Sequence, residues 1–233
     1  VKKMVVLDAS KVEEVAAQVD FIFCAVNMPK AEIKALDNIS LEIAKGEIVS
    51  VIGKSGAGKT TLLKMIGGTE PVDSGSIRVN DMEITELAEN ALVTYRNKHI
   101  GFVFQDYRLI PELTLLENII LPSLTARRSY DKEYLNYLTE SLSITDRLSH
   151  YPSESSGGQQ QRAAIARALI NKPDVVLCDE PTGNLDSSTS AQVFDTIVRL
   201  SHANDQTVII ATHDMDIVRL TDRSITLKDG VIA

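Results

Sequence analysis

The sequence predicts an α/β fold, because strand-like and helix-like segments alternate along the chain from Leu36 onward. Three short apolar runs rich in β-branched residues predict buried strands, and each run ends at a polar or charged turn. These runs cover residues 47–52, 175–178 and 207–211. Since open α/β sheets bind ligands at the carboxyl ends of their strands, we expect the three turns to lie close together.

The composition is compatible with one compact domain, or one domain that carries a small lobe. The chain has 233 residues, of which 44% are hydrophobic and 24% are charged, which is ample for a buried core. The net charge of −8 argues against a general nucleic-acid binder, because such proteins usually carry a basic stripe. It leaves room for a local basic site that binds a polyanion such as a nucleotide.

The cysteines and the apolar runs indicate the cellular setting. Cys24 and Cys178 each lie in an apolar run without a Cys/His cluster, which favours buried, reduced thiols over a disulfide or a metal site. The first residues are charged and show no signal-peptide hydrophobic stretch. The apolar runs are far shorter than the ~20 residues that span a bilayer. We therefore expect a soluble, cytosolic chain that reaches a membrane only through a partner.

The chain reads as one domain, 1–233, in which a helical lobe interrupts the sheet-forming core. Residues 112–150 are rich in Leu, Glu, Tyr and Ser and predict helices that extend to the helix at 163–169. The core is then formed by 34–111 and 151–233, and 1–33 is a divergent N-terminal segment.

A glycine-rich loop between the strand at 47–52 and a predicted helix at 60–66 matches G-x-x-x-x-G-K-[ST]. Glycines allow successive backbone N–H groups to point inward at a helix N-terminus, which makes an anion site. Lys59 adds a positive charge for the β- and γ-phosphates, and Thr60 offers a hydroxyl to Mg²⁺. The alternative, a tight turn without a ligand, does not explain this combination. The predicted phosphate-binding residues are Gly53, Lys54, Ser55, Gly56, Ala57, Gly58, Lys59, Thr60 and Thr61.

Two adjacent carboxylates, Asp179 and Glu180, directly follow the strand at 175–178. Phosphoryl transfer to water requires one carboxylate that holds Mg²⁺ and a second that orients the water. We assign Asp179 to the metal and Glu180 to the water, as the base. Alone, two acids after a strand could be a solvated turn, but their pairing with the glycine-rich loop favours the catalytic interpretation.

The run Ser156-Gly-Gly-Gln159, followed by Gln160-Gln161-Arg162 and a helix, resembles the signature motif of the ATP-binding-cassette (ABC) ATPases. Together with 53–60 and Asp179-Glu180-Pro181, it gives a resemblance that covers about residues 34 to 233. The resemblance implies a P-loop NTPase (RecA-like) core, an antiparallel β subdomain and an inserted helical subdomain. It also implies ATP and Mg²⁺ as cofactors.

The resemblance implies roles for further residues. Gln105 matches the glutamine that touches Mg²⁺ and water and senses the membrane partner, and His213 matches the histidine that contacts the γ-phosphate. Asp186 lies in the segment that communicates across a head-to-tail dimer. The other subunit of that dimer would contact ATP through Ser156, Gly157, Gly158 and Gln159. Lys59, Gln105, Glu180 and His213 are the implied catalytic residues, and Thr60, Gln105 and Asp179 the implied metal ligands.

The implied function is an ATPase subunit that powers an integral membrane permease from the inner face of the cell membrane, without binding nucleic acid. Residues 182–186 and Tyr95-Arg96 are similar to the branch that contains macrolide-export, lipoprotein-release and cell-division ATPases; these three stay open. Two other functions stay open as well. One is a regulatory nucleotide sensor with little turnover, and the other is a soluble ABC ATPase of nucleic-acid metabolism.

Two features depart from the family pattern. Ser155 replaces the usual Leu before the signature, and we expect a modest loss because the phosphate-contacting residues are intact. At the N-terminus, Val26 stands where the family has an aromatic residue that stacks on adenine, and Phe23 is the nearest ring. Residues 20–34 look similar to a short piece of aspartate-semialdehyde dehydrogenase, which would indicate a fusion. The alternative is a divergent first strand, 21–26, at the sheet edge.

Overall fold

In the computed structural model, the described residues are 21–27, 35–185 and 187–233. They form two sheets and seven α-helices. The helices are α1 (Lys59–Ile66), α2 (Glu89–His99), α3 (Leu115–Thr125), α4 (Lys132–Ser141), α5 (Gly157–Leu169), α6 (Ser187–Ala203) and α7 (Met215–Val218). Within these residues no helix combines the length and the apolar character that crossing a membrane requires.

The larger sheet has six strands and is parallel except at one edge. Its strands are β3 (Ile48–Ile52), β6 (Ile100–Val103), β7 (Val175–Asp179), β8 (Thr207–Ala211), β9 (Arg223–Lys228) and β10 (Val231–Ile232). The spatial order is β10-β9-β3-β8-β7-β6, with β10 antiparallel to β9. The predicted strands at 47–52, 175–178 and 207–211 are therefore present and adjacent, which places their carboxyl ends at one edge of the sheet.

The two faces of this sheet contribute to two separate hydrophobic cores. Val175 and Leu177 of β7 pack into the core that contains α1, whereas Val176 and Cys178 pack into the core formed by α3, α4, α5 and α6. This alternation follows from the two-residue period of a strand. Cys178 is free and fully buried, as predicted, and burial raises the pKa of its thiol. The side chain of Cys24 lies outside the described part of the chain.

The smaller sheet is antiparallel, with the order β2-β1-β4-β5. Its strands are β1 (Phe21–Asn27), β2 (Ile39–Ala44), β4 (Ser74–Val79) and β5 (Met82–Glu83). The strand predicted at 21–26 is present, but its predicted place at a sheet edge is wrong. Ile22 pairs with Ile43 on one side and with Val79 on the other, so the backbone of β1 is paired along both sides.

The segment between β6 and β7 is helical and contains α3, α4 and α5 together with short 3₁₀ turns at Thr145–Arg147 and Pro152–Glu154. Thr114 and Glu117 form a capping box that starts α3. A further 3₁₀ turn, Ile84–Glu86, precedes α2. The sequence-predicted domain boundaries within this architecture stay a prediction. The helical segment brings the start of α5 near the loops that follow β6 and β7.

Candidate functional site

The glycine-rich loop connects β3 to α1 and leaves an open concavity at the start of the helix. Gly56 and Gly58 have left-handed φ angles of 81° and 102°, which glycine adopts without strain. A Cβ at Gly53 would lie 2.3 Å from the carbonyl oxygen of Leu227, whereas one at Gly56 would meet nothing within 4 Å. The start of α1 has no side-chain cap, so its first N–H groups point toward a site that can accept an anion.

Lys59 places its ammonium group over this loop. The residue is only 9% exposed, and its Nζ donates a 2.8 Å hydrogen bond to the carbonyl oxygen of Gly53. The same Nζ lies 3.9 Å from Oε1 of Glu180. The positive charge therefore sits between the glycine-rich loop and the carboxylate that follows β7.

Asp179, the last residue of β7, lies beside the first turn of α1. The Thr60 hydroxyl donates a 3.0 Å hydrogen bond to Oδ1 of Asp179. Burial, together with the nearby Glu180 charge, raises the pKa of the Asp179 carboxyl, while the Thr60 hydrogen bond and Lys59 oppose that rise. A hydroxyl oxygen and a carboxylate oxygen at this separation match the ligands that Mg²⁺ takes from proteins when phosphates supply others.

Glu180 lies between a lysine and a histidine. Its Oε2 is 2.9 Å from Nδ1 of His213, and its backbone N–H donates to the carbonyl oxygen of Ala211 in β8. The Glu180 side chain is 16% exposed and that of His213 is 75% exposed. Glu180 has a left-handed φ of 47°, a conformation that is uncommon outside glycine and is often found at functional sites. The carboxylate is thus held in place at the carboxyl end of the sheet.

Gln105 follows β6 and packs against the loop that follows Glu180. The backbone carbonyl oxygen of Gln105 accepts a 2.8 Å hydrogen bond from Nδ2 of Asn184. A Cβ at Gly183 would lie 2.8 Å from Nε2 of Gln105, so the glycine leaves space for this amide. The structure therefore brings Gln105 next to residues 183–184, which lie just after the two carboxylates.

The predicted signature residues start α5 as a separate group. Ser156 is the N-cap: its Oγ accepts from the Gln159 N–H at 3.3 Å, and Oε1 of Gln159 accepts from the Ser156 N–H at 2.9 Å. A Cβ on Gly157 would meet the Tyr107 hydroxyl, and one on Gly158 would meet Thr189. These neighbours belong to the loop after β6 and to α6, not to the glycine-rich loop at 53–60.

The remaining positions singled out in the sequence are Ser155, Asp186, Val26 and Phe23. Ser155 is half-buried, and its Oγ donates a 3.1 Å hydrogen bond to the carbonyl oxygen of Tyr151. Asp186 lies outside the described residues, as do the side chains of Val26 and Phe23. The roles predicted for these residues therefore stay predictions.

Sequence reasoning missed Gln161, whose side chain is fully buried within α5. Its Nε2 donates a 2.6 Å hydrogen bond to the carbonyl oxygen of Pro181. The run Gln159-Gln160-Gln161 offers three chemically equal amides, and only the direction of the helix decides which one faces inward. The buried face of α5 could have been found from Ile165 and Leu169, four and eight residues later.

Comparisons with known proteins agree with this geometry. The family model described as "ABC transporter" matches residues 36–183. The lipoprotein-releasing system ATP-binding protein LolD of Bacteroides thetaiotaomicron is 44% identical over 203 residues, which is 86% of this chain and 93% of that protein. The macrolide export ATP-binding/permease protein MacB of Rhodopseudomonas palustris is 44% identical over 205 residues, which is 87% of this chain but 31% of that longer protein.

Solved structures show the same similarity. A dimeric post-hydrolysis state of the ATP-binding cassette MJ0796, bound to ADP and Pi, matches with a TM-score of 0.79 and 37% identity, over 92% of this chain and 95% of that one. A second dimeric structure of MJ0796, described as a bacterial ABC transporter cassette, matches with a TM-score of 0.80 and 38% identity over the same shares. The predicted α/β class with a P-loop core is thereby confirmed.

Proposed function

This chain belongs to the ABC transporter family, and from that premise we propose that it is the ATP-hydrolysing subunit of a membrane complex. The observation that carries the proposal is the Glu180 carboxylate, which lies between Lys59 and His213 at the carboxyl ends of β7 and β8. A carboxylate held beside a phosphate-binding loop is positioned to take a proton from a water molecule that attacks the terminal phosphate.

The glycine-rich loop holds the phosphates of ATP. Its inward N–H groups and the Lys59 ammonium provide the positive potential that a triphosphate requires. The residues proposed for this contact are Gly53, Lys54, Ser55, Gly56, Ala57, Gly58, Lys59, Thr60 and Thr61. Thr60 and Asp179 hold Mg²⁺, with Gln105 as a further oxygen ligand, and the metal neutralises charge on the phosphates when it is bound.

Glu180 acts as the general base, and His213 acts in two ways. The 2.9 Å contact between His213 and Glu180 orients the carboxylate, and the exposed remainder of the ring is free to contact the γ-phosphate. Lys59 stabilises the charge that spreads over the transferred phosphoryl oxygens. Gln105 positions water at the same site because its backbone is tied to Asn184 in the loop after Glu180.

A second copy of the chain completes the site. The start of α5 offers backbone N–H groups and the positive end of a helix dipole, yet its neighbours within the chain are Tyr107 and Thr189. We assign Ser156, Gly157, Gly158 and Gln159 to the γ-phosphate of ATP bound by the other subunit, and Asp186 to the same interface. The solved cassette structures similar to this chain are dimers. ATP then favours the closed dimer because it contacts both subunits only in that state.

The proposed partner is an integral membrane permease, which would hold the chain on the inner face of the cell membrane. The similar proteins are named for lipoprotein release and for a joint ATP-binding and permease chain. A groove of about 540 Å³ between α2, α3 and α5 supports this partner, because Val93, which lines it, is half exposed. Arg96, Arg128 and Arg167 line the groove, so it fits an apolar permease segment that carries a carboxylate. The net charge of −8 supports the absence of a nucleic-acid partner.

The test compares Mg-ATP turnover of the wild-type chain with that of Glu180→Gln, and measures the dimer of each by gel filtration with and without ATP. We expect turnover to fall by about 10²- to 10⁴-fold, the usual contribution of a general base, while ATP still drives dimerisation of the variant. Glu112→Gln, at an exposed residue, is the matched control. Turnover of Glu180→Gln close to wild type would overturn the base assignment. ATP binding without turnover by the wild type would favour the regulatory sensor.

A further inference from the structure

We propose that Tyr107, held by Arg167, is a positioning residue that fixes the start of α5 relative to Gln105 within one chain. The proposal rests on the proposed function, because the start of α5 is the part assigned to the partner's ATP. Within the described part of the chain, no hydrogen bond or ion pair joins Tyr107 to the glycine-rich loop or to the two carboxylates. Its role is to transmit the position of the loop after β6 to the helix that closes on the second nucleotide.

The loop that carries Tyr107 has an unusual backbone. Tyr107 and Arg108 are consecutive residues with left-handed φ angles of 59° and 48°. Non-glycine residues adopt that region only at a steric cost, so two in succession persist only where other contacts hold them. A turn of this kind has a defined shape rather than a range of shapes.

Arg167 of α5 supplies those contacts. Its Nη2 donates a 2.7 Å hydrogen bond to the carbonyl oxygen of Tyr107, and its Nη1 donates to the carbonyl oxygen of Arg108. Burial lowers the pKa of Arg167 to about 10, and the nearby Arg108 charge acts in the same direction. Burying a guanidinium group is costly unless its N–H groups find hydrogen-bond acceptors, and the two carbonyl oxygens are such acceptors. The turn and α5 are therefore joined by a planar, two-pronged contact that lysine cannot reproduce.

A second pair of contacts involves the Tyr107 hydroxyl. A Cβ placed on Gly157 would lie 2.9 Å from that oxygen, so the hydroxyl occupies the space that this glycine leaves open. The Asn184 side chain opposes the rise that burial causes in the pKa of Tyr107, and its Nδ2 donates a 2.8 Å hydrogen bond to the backbone carbonyl oxygen of Gln105. One hydroxyl group thus touches the first residue of α5 and the loop that follows Glu180.

These contacts define a joint made of Tyr107, Gly157, Asn184 and Arg167. If the loop after β6 moves, the Tyr107 hydroxyl changes its distance to Gly157, and Arg167 pulls the body of α5 in the same direction. Arg167 also lines the groove that we assign to the permease. A permease segment bound in the groove and a movement of the signature helix would therefore both displace the Arg167 side chain. This gives the chain a specific physical connection between partner and nucleotide.

The first experiment uses Tyr107→Phe, which removes the hydroxyl and keeps the ring. We expect kcat to fall about 3- to 10-fold, because the hydroxyl that packs against Gly157 is missing from the active arrangement. We expect the affinity of the monomer for a fluorescent ATP analogue to stay within twofold, because the glycine-rich loop is untouched. Tyr137→Phe, at an exposed tyrosine of α4, is the matched control and should leave both quantities unchanged.

The second experiment does not depend on turnover. Hydrogen exchange of the nucleotide-free chain should be faster at the start of α5 in Tyr107→Phe and in Arg167→Lys, with the exchange of α1 unchanged. Equal exchange in wild type and both variants would overturn the proposal, as would a kcat of Tyr107→Phe within 1.5-fold of wild type. A parallel loss of ATP affinity, kcat and thermal stability would show a merely structural role and would also overturn it. A wild-type chain without turnover would contradict the proposed function alone, because the exchange result would still decide the joint.

Discussion

The side-chain amide of Gln161 donates a 2.6 Å hydrogen bond to the carbonyl oxygen of Pro181, and both residues are buried. Pro181 directly follows Glu180, the proposed base, while Gln161 belongs to the helix that starts with the signature residues. This hydrogen bond therefore fixes the backbone of the loop after β7 relative to α5. Substituting Gln161 should therefore affect both the stability of the chain and the orientation of the Glu180 carboxylate.

Gln161→Met tests this pair, because methionine has a similar volume and no N–H donor. The Pro181 carbonyl would lose its partner in a buried place, so the free energy of unfolding should fall by about 1–3 kcal/mol. Turnover should fall about tenfold because a misplaced carboxylate transfers a proton poorly. Urea unfolding and an ATPase assay measure the two effects. Gln192→Met, at an exposed glutamine of α6, should change neither, and an unchanged stability of Gln161→Met would contradict the interpretation.

Asp179 gives a prediction for the dependence of stability on pH. Its folded-state pKa is raised above the ordinary value of 3.8, mainly by burial. The folded state therefore binds this proton more tightly than the unfolded state, and the stability it contributes is present below pH 3.8 and lost as pH rises through the folded-state pKa. Asp179→Asn should remove that dependence, so nucleotide-free Asp179→Asn should gain stability relative to wild type between acidic and neutral pH. Asp195→Asn, at an exposed residue, controls for the loss of one negative charge.

The same substitution should have the opposite effect when Mg-ATP is present. A ligand at 100 times its Kd stabilises a folded protein by about 2.7 kcal/mol, which is roughly 5–10 °C in Tm for a domain of this size. Wild type should show that gain, and Asp179→Asn should lose most of the part that depends on Mg²⁺. Calorimetry with ATP, with and without Mg²⁺, measures it. A full Mg²⁺-dependent gain in Asp179→Asn would exclude Asp179 as a metal ligand.

Ser155 provides a prediction of a small effect. Its hydroxyl donates to the Tyr151 carbonyl, and the half-buried position offers limited burial to a larger side chain. Ser155→Leu should therefore change the free energy of unfolding by less than about 1 kcal/mol, since a lost hydrogen bond and a gain in apolar contact oppose each other. Turnover should stay within about twofold, because the capping box of Ser156 and Gln159 does not involve this side chain. A fivefold rise in turnover would show that Ser155 weakens the signature.

The sequence predicted the parts of the fold and of the candidate site that local patterns determine. The runs at 47–52 and 175–178 are mostly apolar segments that end in turns, and both contribute strands to the larger sheet. Spacing also suffices to bring Thr60 and Asp179 together, because parallel strands end at one edge of the sheet. Gln105 and His213 came from family resemblance, and their contacts with Asn184 and Glu180 depend on how the loops fold.

Local sequence patterns could not predict which strands, or which side chains, meet when they are far apart along the chain. The continuous apolar run at 21–26 fits a strand, but nothing in residues 21–27 indicates that β2 and β4 lie on its two sides. The same limit explains why Tyr107 and Arg167 were missed. Their contact joins residues 60 positions apart through a turn whose left-handed angles occur at Tyr107 and Arg108, not at glycines.

The N-terminal strand leads to a prediction about the nucleotide base. Val26, at the position of the family's adenine-stacking ring, pairs through its backbone with Ile39 and Gly75. Stacking of a base on an aromatic ring contributes about 1–3 kcal/mol, whereas every proposed contact of this chain is to phosphate or metal. We therefore expect the Kd values for ATP and GTP to lie within about fivefold of each other. Val26→Tyr should bind ATP at least about fivefold more tightly than wild type. Val93→Tyr, at an exposed valine of α2, should not, and a wild-type preference for ATP above about 50-fold would show that another group stacks on adenine.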